Sequence, residues 1–193
     1  MEKTDQTNAS QVMANEIKKI VVIGPESTGK STLCKMLANH FNALWVEEYA
    51  REYLLTNGNK YTYEDLQIIA AGQIQNEEQA IHKLLADPTS KLLFIDTDMY
   101  VMKVWSEFVF NRCDQTILHT ILTRKYDLYL LCQPDIPWVK DELREYPDLQ
   151  IREQLYHHYK EILINQSVPW INISGNYEER LETSIKEVNR LFY

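Results

Sequence analysis

The chain has 193 residues, 45% hydrophobic and 25% charged, the balance of one globular domain with a sizeable core rather than two independent ones. With 20 basic against 28 acidic residues the net charge is −8, which excludes a broad cationic surface for nucleic acid or an anionic membrane and leaves the basic residues to act locally. No run of roughly 18 apolar residues is present to span a bilayer, the first residues lack the apolar stretch of a signal peptide, and Cys34, Cys113 and Cys132 form neither a CxxC pair nor a metal-ligand spacing, as expected of reduced thiols in a cytoplasmic protein.

Met1 to about Asn15 is polar and reads as a loosely ordered tail, so residues 1–18 are set apart from a domain expected over 19–193. Ile20–Ile23 is short, β-branched and closed by Gly24, the pattern of a buried strand. Ser31–Phe41 sets Leu33, Met36, Leu37 and Phe41 near one helical face. Leu44–Val46 is a second strand, and Glu47–Leu55 reads as a helix. After the turn Asn57-Gly58-Asn59, Thr62 and Asp65 have the spacing of a capping box that opens a long helix to about Leu85, stopped by Asp87-Pro88. Lys91–Ile95 is the third strand, Tyr100–Lys125 is helical with a break near Cys113-Asp114, and Asp127–Cys132 is the fourth strand. Pro134–Asp148 is charged, punctuated by proline and long enough to expect a functional or a mobile segment. Leu149–Asn165 is helical, Val168–Ile173 is the fifth strand, and Tyr177–Phe192 is a terminal helix. This alternation predicts an α/β fold: a doubly wound, five-stranded parallel sheet with helices on both faces and a lid segment over about 134–152.

Gly24-Pro25-Glu26-Ser27-Thr28-Gly29-Lys30-Ser31 matches G-x-x-x-x-G-K-[ST] at each fixed position, after a strand and before a helix. That is the phosphate loop of a P-loop NTPase. Its two glycines let the backbone wrap phosphate, and the amides around Glu26, Ser27 and Thr28, with the following helix N-terminus, supply partial positive charge. Lys30 is expected to reach the β- and γ-phosphates of ATP, Ser31 to ligate Mg²⁺ and Thr32 to support it. Leu92-Leu93-Phe94-Ile95-Asp96 ends an apolar strand in an acid, which puts Asp96 beside the Mg²⁺ shell. Asp98 either shares the metal, binds substrate hydroxyls or caps the next helix.

The acceptor side separates the P-loop classes. A GTPase carries N-K-x-D after a strand, but Cys132-Gln133-Pro134-Asp135 follows the fourth strand here; a large motor or AAA+ ATPase asks for more chain. A small kinase needs an acceptor pocket and a closing lid. In 45-WVEEYAREY-53, Glu47 and Glu48 stand at a strand's C-terminal end, where a carboxylate can orient or deprotonate a hydroxyl, and Arg51 follows Glu48 at helical spacing. The other reading is a solvated amphipathic helix with an ordinary ion pair. In 134-PDIPWVKDELREYPDLQIR-152, Lys140, Arg144 and Arg152 either reach phosphate on closure or are solvated surface charge, and Trp138 packs on a flat ligand or on the core. Gly175-Asn176-Tyr177 is the candidate location of the adenine contacts, or a plain strand-to-helix turn.

The motifs GPESTGKSTL, EYAREY, FIDTD and PDIPWVKDELR, in this order and spacing, resemble the ribosylnicotinamide kinase domain of the bacterial trifunctional NAD-biosynthesis regulator and its stand-alone relatives. The resemblance runs from about Lys19 to the C-terminus, and its last three motifs are far more specific than the phosphate loop. It implies ATP-dependent phosphorylation of the 5′-hydroxyl of nicotinamide riboside to nicotinamide mononucleotide, with ATP and Mg²⁺ as cofactors and a small nucleoside as partner. It places Glu48 and Arg51 in the nucleoside pocket, Asp96 and Asp98 at the catalytic crevice, and Arg144, Arg152 and Trp138 in the lid. Glu48 is the expected base or orienting carboxylate and Asp96 the second choice. A flat cationic ring suits an aromatic wall, for which Trp45, Tyr49, Tyr53, Tyr100 and Trp105 are the candidates. The larger regulator also carries a DNA-binding motif and an adenylyltransferase. Only about 18 residues precede the phosphate-loop strand and no H-x-G-H is present, so neither activity is expected of this chain. The alternatives are a kinase for another nucleoside or nucleotide, and a slow nucleotide-dependent switch without an acceptor.

Overall fold

In a computed structural model, residues 17–86 and 90–193 are described; the expected tail and the Asp87-Pro88 stop lie outside them. The described elements are β1 (Lys18–Ile23), α1 (Lys30–Phe41), β2 (Leu44–Val46), α2 (Tyr49–Asn57), α3 (Tyr63–Ala86), β3 (Leu92–Asp96), α4 (Met99–Phe110), α5 (Gln115–Thr123), β4 (Leu128–Cys132), α6 (Leu149–Ile164), β5 (Trp170–Ile173) and α7 (Tyr177–Phe192). The strands form one sheet in the order β2-β3-β1-β4-β5, with every pair parallel.

Burial follows the two-residue period of the strands. Val21, Ile23, Leu93, Ile95, Tyr129 and Leu131 face one way, against Ala80 and Leu84 of α3, Val104 of α4 and Leu155 and Leu163 of α6. Ile20, Val22, Phe94, Leu128 and Leu130 face the other, against Leu33 and Leu37 of α1 and Val188 of α7. Both faces being covered, the central strands read as continuous apolar runs. A third cluster, Ala50, Leu66, Ile69, Met99, Met102 and Ile117, joins α2, α3, α4 and α5.

The expected helix Glu47–Leu55 is shifted: Glu48 is extended at φ −65, ψ 109 and stands as the N-cap of α2. The cause is tertiary, because the Tyr49 amide donates to Gln73 Oε1 at 2.8 Å. The break expected near Cys113-Asp114 spans residues 111–114: Asn111, with a left-handed backbone (φ 53), ends α4, and Asp114 caps α5 through the Thr116 amide. Thr62 and Asp65 bond reciprocally at the start of α3, at 2.7 and 3.3 Å. Among the described residues no helix is long and apolar enough to cross a membrane.

Candidate active site

Residues 24–29 leave the C-terminal end of β1 and enter α1. Gly24 is at φ +143, and a Cβ there would stand 2.6 Å from the Cys132 carbonyl oxygen, so the turn admits no side chain. Gly29 is left-handed and caps α1 with its backbone. Thr28 Oγ1 and Lys30 Nζ both donate to the Pro25 carbonyl, at 2.8 Å each. Lys30 is thus held across the loop mouth by a bond a phosphate oxygen can replace.

Behind Lys30 and Ser31, at the end of β3, Asp96 is 1% exposed and neither carboxylate oxygen has a hydrogen-bond partner. Burial, then the Glu48 carboxylate, push its pKa up to about 7; Lys30 opposes the rise, as does the Ser31 hydroxyl, which lies close without meeting hydrogen-bond geometry. An orphaned buried carboxylate beside a hydroxyl is a cation site in waiting. No group of three or more His, Cys, Asp or Glu among the described residues holds a metal alone. Two hard oxygens suit Mg²⁺, which takes its other ligands from water and phosphates.

A cavity of about 530 Å³ opens in front of this floor, within the roughly 300–1,000 Å³ of small-molecule sites. The phosphate loop from Gly24 to Thr32 forms one wall. Glu48 and Arg51 of the α2 region form a second, and Lys140, Arg144 and Tyr146 of the lid a third. Glu48 Oε1 accepts from Thr97 Oγ1 at 3.4 Å, which sets it beside the end of β3. The lid lies down over the loop: Trp138 Nε1 and the amides of Glu145 and Tyr146 donate to Glu26, and the Val139 amide donates to Ser27 Oγ.

The structure brings Glu26, Ser27, Thr28, Lys30, Ser31, Thr32, Glu48, Arg51, Lys140 and Arg144 to the cavity, with Asp96 directly behind it. It does not bring Tyr49, Asp98, Trp138 or Arg152 there. Tyr49 lies against Gly72 of α3. Asp98 is the N-cap of α4, accepting from the Tyr100 and Val101 amides and from Tyr129 Oη, and burial pushes it up to about 7. Trp138 is committed to Glu26. Arg152 is 4% exposed within α6, with Nε and Nη1 unpartnered. Arg51 does not pair with Glu48; it forks onto Asp141 of the lid at 2.9 and 3.2 Å. Of the proposed aromatic walls only Trp105 lines the cavity, joined by Tyr61, Phe108 and Tyr159. Tyr177 also lines it, beside Gly29.

Two residues with no motif position the site. Gln73, buried in α3, accepts from the Tyr49 amide and donates to the Asp96 carbonyl at 3.2 Å, locking the turn of Glu48 to the end of β3. Arg180 of α7 is 1% exposed and donates to the carbonyls of Thr28, Gln133 and Gly175 and to the Asp135 carboxylate. The only sequence signal for either is a polar residue on the inward face of an amphipathic helix.

A family model described as an AAA domain, AAA_28, matches residues 19–180. The chain belongs to the AAA_28 family. The trifunctional NAD biosynthesis/regulator proteins NadR of Escherichia coli (strain K12) and Salmonella typhimurium (strain LT2) are each 27% identical to this AAA_28 chain over 180 residues, 91% of it and 43% of theirs. The chain therefore spans less than half the length of these curated relatives. A solved NadR in complex with NR matches with a TM-score of 0.77 at 23% identity, over 95% of this chain and 53% of that one. A NadR in complex with NAD and AMP-PNP matches at 0.71 and 24%, over 95% and 51%. Deoxyadenosine kinase from M. mycoides matches at 0.59 and 15%, over 89% and 99%. These likenesses show the fold, a doubly wound P-loop α/β sheet.

Proposed function

We propose that the chain is an ATP-dependent kinase that phosphorylates the 5′-hydroxyl of nicotinamide riboside. The observation that carries this reading is one cavity lined by the phosphate loop, Glu48 and the aromatic side chains Tyr61, Trp105, Phe108 and Tyr159, with Asp96 behind it. The likeness to NadR, one of whose structures holds NR, supports the acceptor.

Lys30, the loop amides and the N-terminus of α1 bind the β- and γ-phosphates. Ser31 and Asp96 would hold Mg²⁺, which when bound neutralises charge on those phosphates. Glu48 accepts the proton of the acceptor hydroxyl as its oxygen bonds to the γ-phosphorus, while the bond to the β,γ-bridging oxygen breaks and ADP leaves. Arg144 and Lys140, on the lid, stabilise charge on the transferring group and exclude water. Most of the rate comes from alignment and charge stabilisation, so Glu48 serves as much to orient as to deprotonate. Tyr49, through Gln73, and Trp138, on Glu26, support these groups from outside the cavity.

The test is purified protein with MgATP and nicotinamide riboside, read as mononucleotide by mass spectrometry. Turnover is expected. No turnover beside good turnover of another nucleoside would replace the acceptor, and nucleotide binding with no acceptor at all would make the chain a switch.

A further inference from the structure

The phosphate loop carries a carboxylate of its own, Glu26, at a position that lines the cavity. A bare carboxylate beside a triphosphate is repulsive. Glu26 is not bare. Its Oε1 accepts from Trp138 Nε1 at 3.1 Å and from the Tyr146 amide at 2.7 Å, and its Oε2 from the Glu145 amide at 2.9 Å. All three donors sit on the lid, as does the Val139 amide that donates to neighbouring Ser27 at 3.1 Å. Among the described residues no Lys or Arg forms an ion pair with Glu26. The hydrogen bonds described for its carboxylate therefore all come from the lid. The same lid is also fastened to other cavity-lining residues: Asp141 accepts from Arg51, and Glu145 Oε2 accepts from Tyr61 Oη at 2.9 Å.

We propose that Glu26 is a positioning residue that couples nucleotide binding to lid closure. With the lid away, its charge opposes the triphosphate. With the lid down, three N–H donors occupy the carboxylate and the loop accepts phosphate. Nucleotide binding and lid closure therefore favour one another, and by linkage the effect is reciprocal. The proposal rests on the phosphate loop binding ATP, but not on the identity of the acceptor.

The experiment follows tryptic cleavage after Lys140 and Arg144, with and without a non-hydrolysable ATP analogue and Mg²⁺, alongside calorimetric binding of the same analogue. In the unmodified protein the analogue slows lid cleavage by about 10-fold or more, within the usual range of coupling. Glu26→Gln keeps the size and removes the charge. It binds the analogue as tightly or more tightly, yet loses most of that protection. Trp138→Phe, which removes one donor and leaves the loop intact, shifts protection the same way by a smaller factor. An analogue-bound lid as protected in Glu26→Gln as in the unmodified protein overturns the proposal, as does a Kd raised about 10-fold with lid cleavage unchanged. Neither measurement uses an acceptor, so a failure to phosphorylate nicotinamide riboside leaves the test intact.

Discussion

At the scale of single residues, function and stability part at Asp96. A carboxyl whose folded pKa is raised from 3.8 to about 7 stabilises the fold most while it is protonated. That contribution is complete below the ordinary carboxylate range and is lost as pH rises through about 7. Asp98, raised for the same reason of burial, adds to the slope in the same window. Nucleotide-free protein is therefore expected to melt lower at pH 8 than at pH 5.5 on account of these groups. Asp96→Asn removes the buried charge. It should raise stability at pH 8 by about 1–3 kcal/mol, the cost of a buried unsatisfied polar group, flatten the pH dependence without abolishing it, and remove phosphoryl transfer. Thermal melts of both proteins across pH 5–8 check this, and an unchanged slope in the variant would refute it. Glu48→Gln isolates the other carboxylate. As the base, its loss lowers kcat by about 100-fold or more, whereas a rise confined to KM makes it a binding residue.

At the scale of elements, the legible part of the fold is the part encoded within a few positions. Strand runs, the capping box at Thr62 and the phosphate loop each carry their signal in one short window, and the structure places elements there. The shifted start of α2 was not legible, because its determinant, Gln73, lies 24 positions away on another helix. The same holds for the site. The loop and Asp96 sit together as their local patterns imply, while Arg51 finds Asp141 across 90 positions and Arg180 finds Thr28 across 152. Gly72 shows how such contacts override local preference. In the middle of α3 alanine is favoured over glycine by about 1 kcal/mol, but a Cβ there would stand 2.1 Å from the Tyr49 ring. Overpacking costs about 1–3 kcal/mol or more, so the clash wins. Gly72→Ala is expected to be net destabilising in urea titration and, because Tyr49 opens α2 beside Glu48, to lower kcat as well. A stabilised variant would mean that α2 yields freely.

At the scale of the whole molecule, the two ends of the parallel sheet divide the work. Ligands of open α/β sheets bind outside the carboxyl ends of the strands, and here the phosphate loop, Glu48 and Asp96 all stand at that end. The opposite end is tied by charge. Lys18 pairs with Asp127 at 3.0 Å, just ahead of β4. Lys19 lies 3.6 Å from Glu77, which is 1% exposed, takes Arg124 at 2.7 Å and accepts from Tyr126 Oη at 3.0 Å. This cluster joins β1, α3 and the α5–β4 connection, and none of its members lines the cavity. Arg124→Met leaves Glu77 with only Lys19 and the Tyr126 hydroxyl, and losing one partner of a buried pair costs at most about 3–5 kcal/mol. Adding Glu77→Gln removes the under-compensated charge and should return part of that loss, the non-additivity of residues in one network. If the division by sheet end is right, both variants bind the ATP analogue with unchanged Kd at temperatures well below their Tm, because only the global equilibrium has moved. Denaturant titration paired with calorimetric binding separates the two quantities. A Kd that weakens in step with the lost stability while the protein is still folded would show that the charged end shapes the nucleotide site and does more than hold the sheet together.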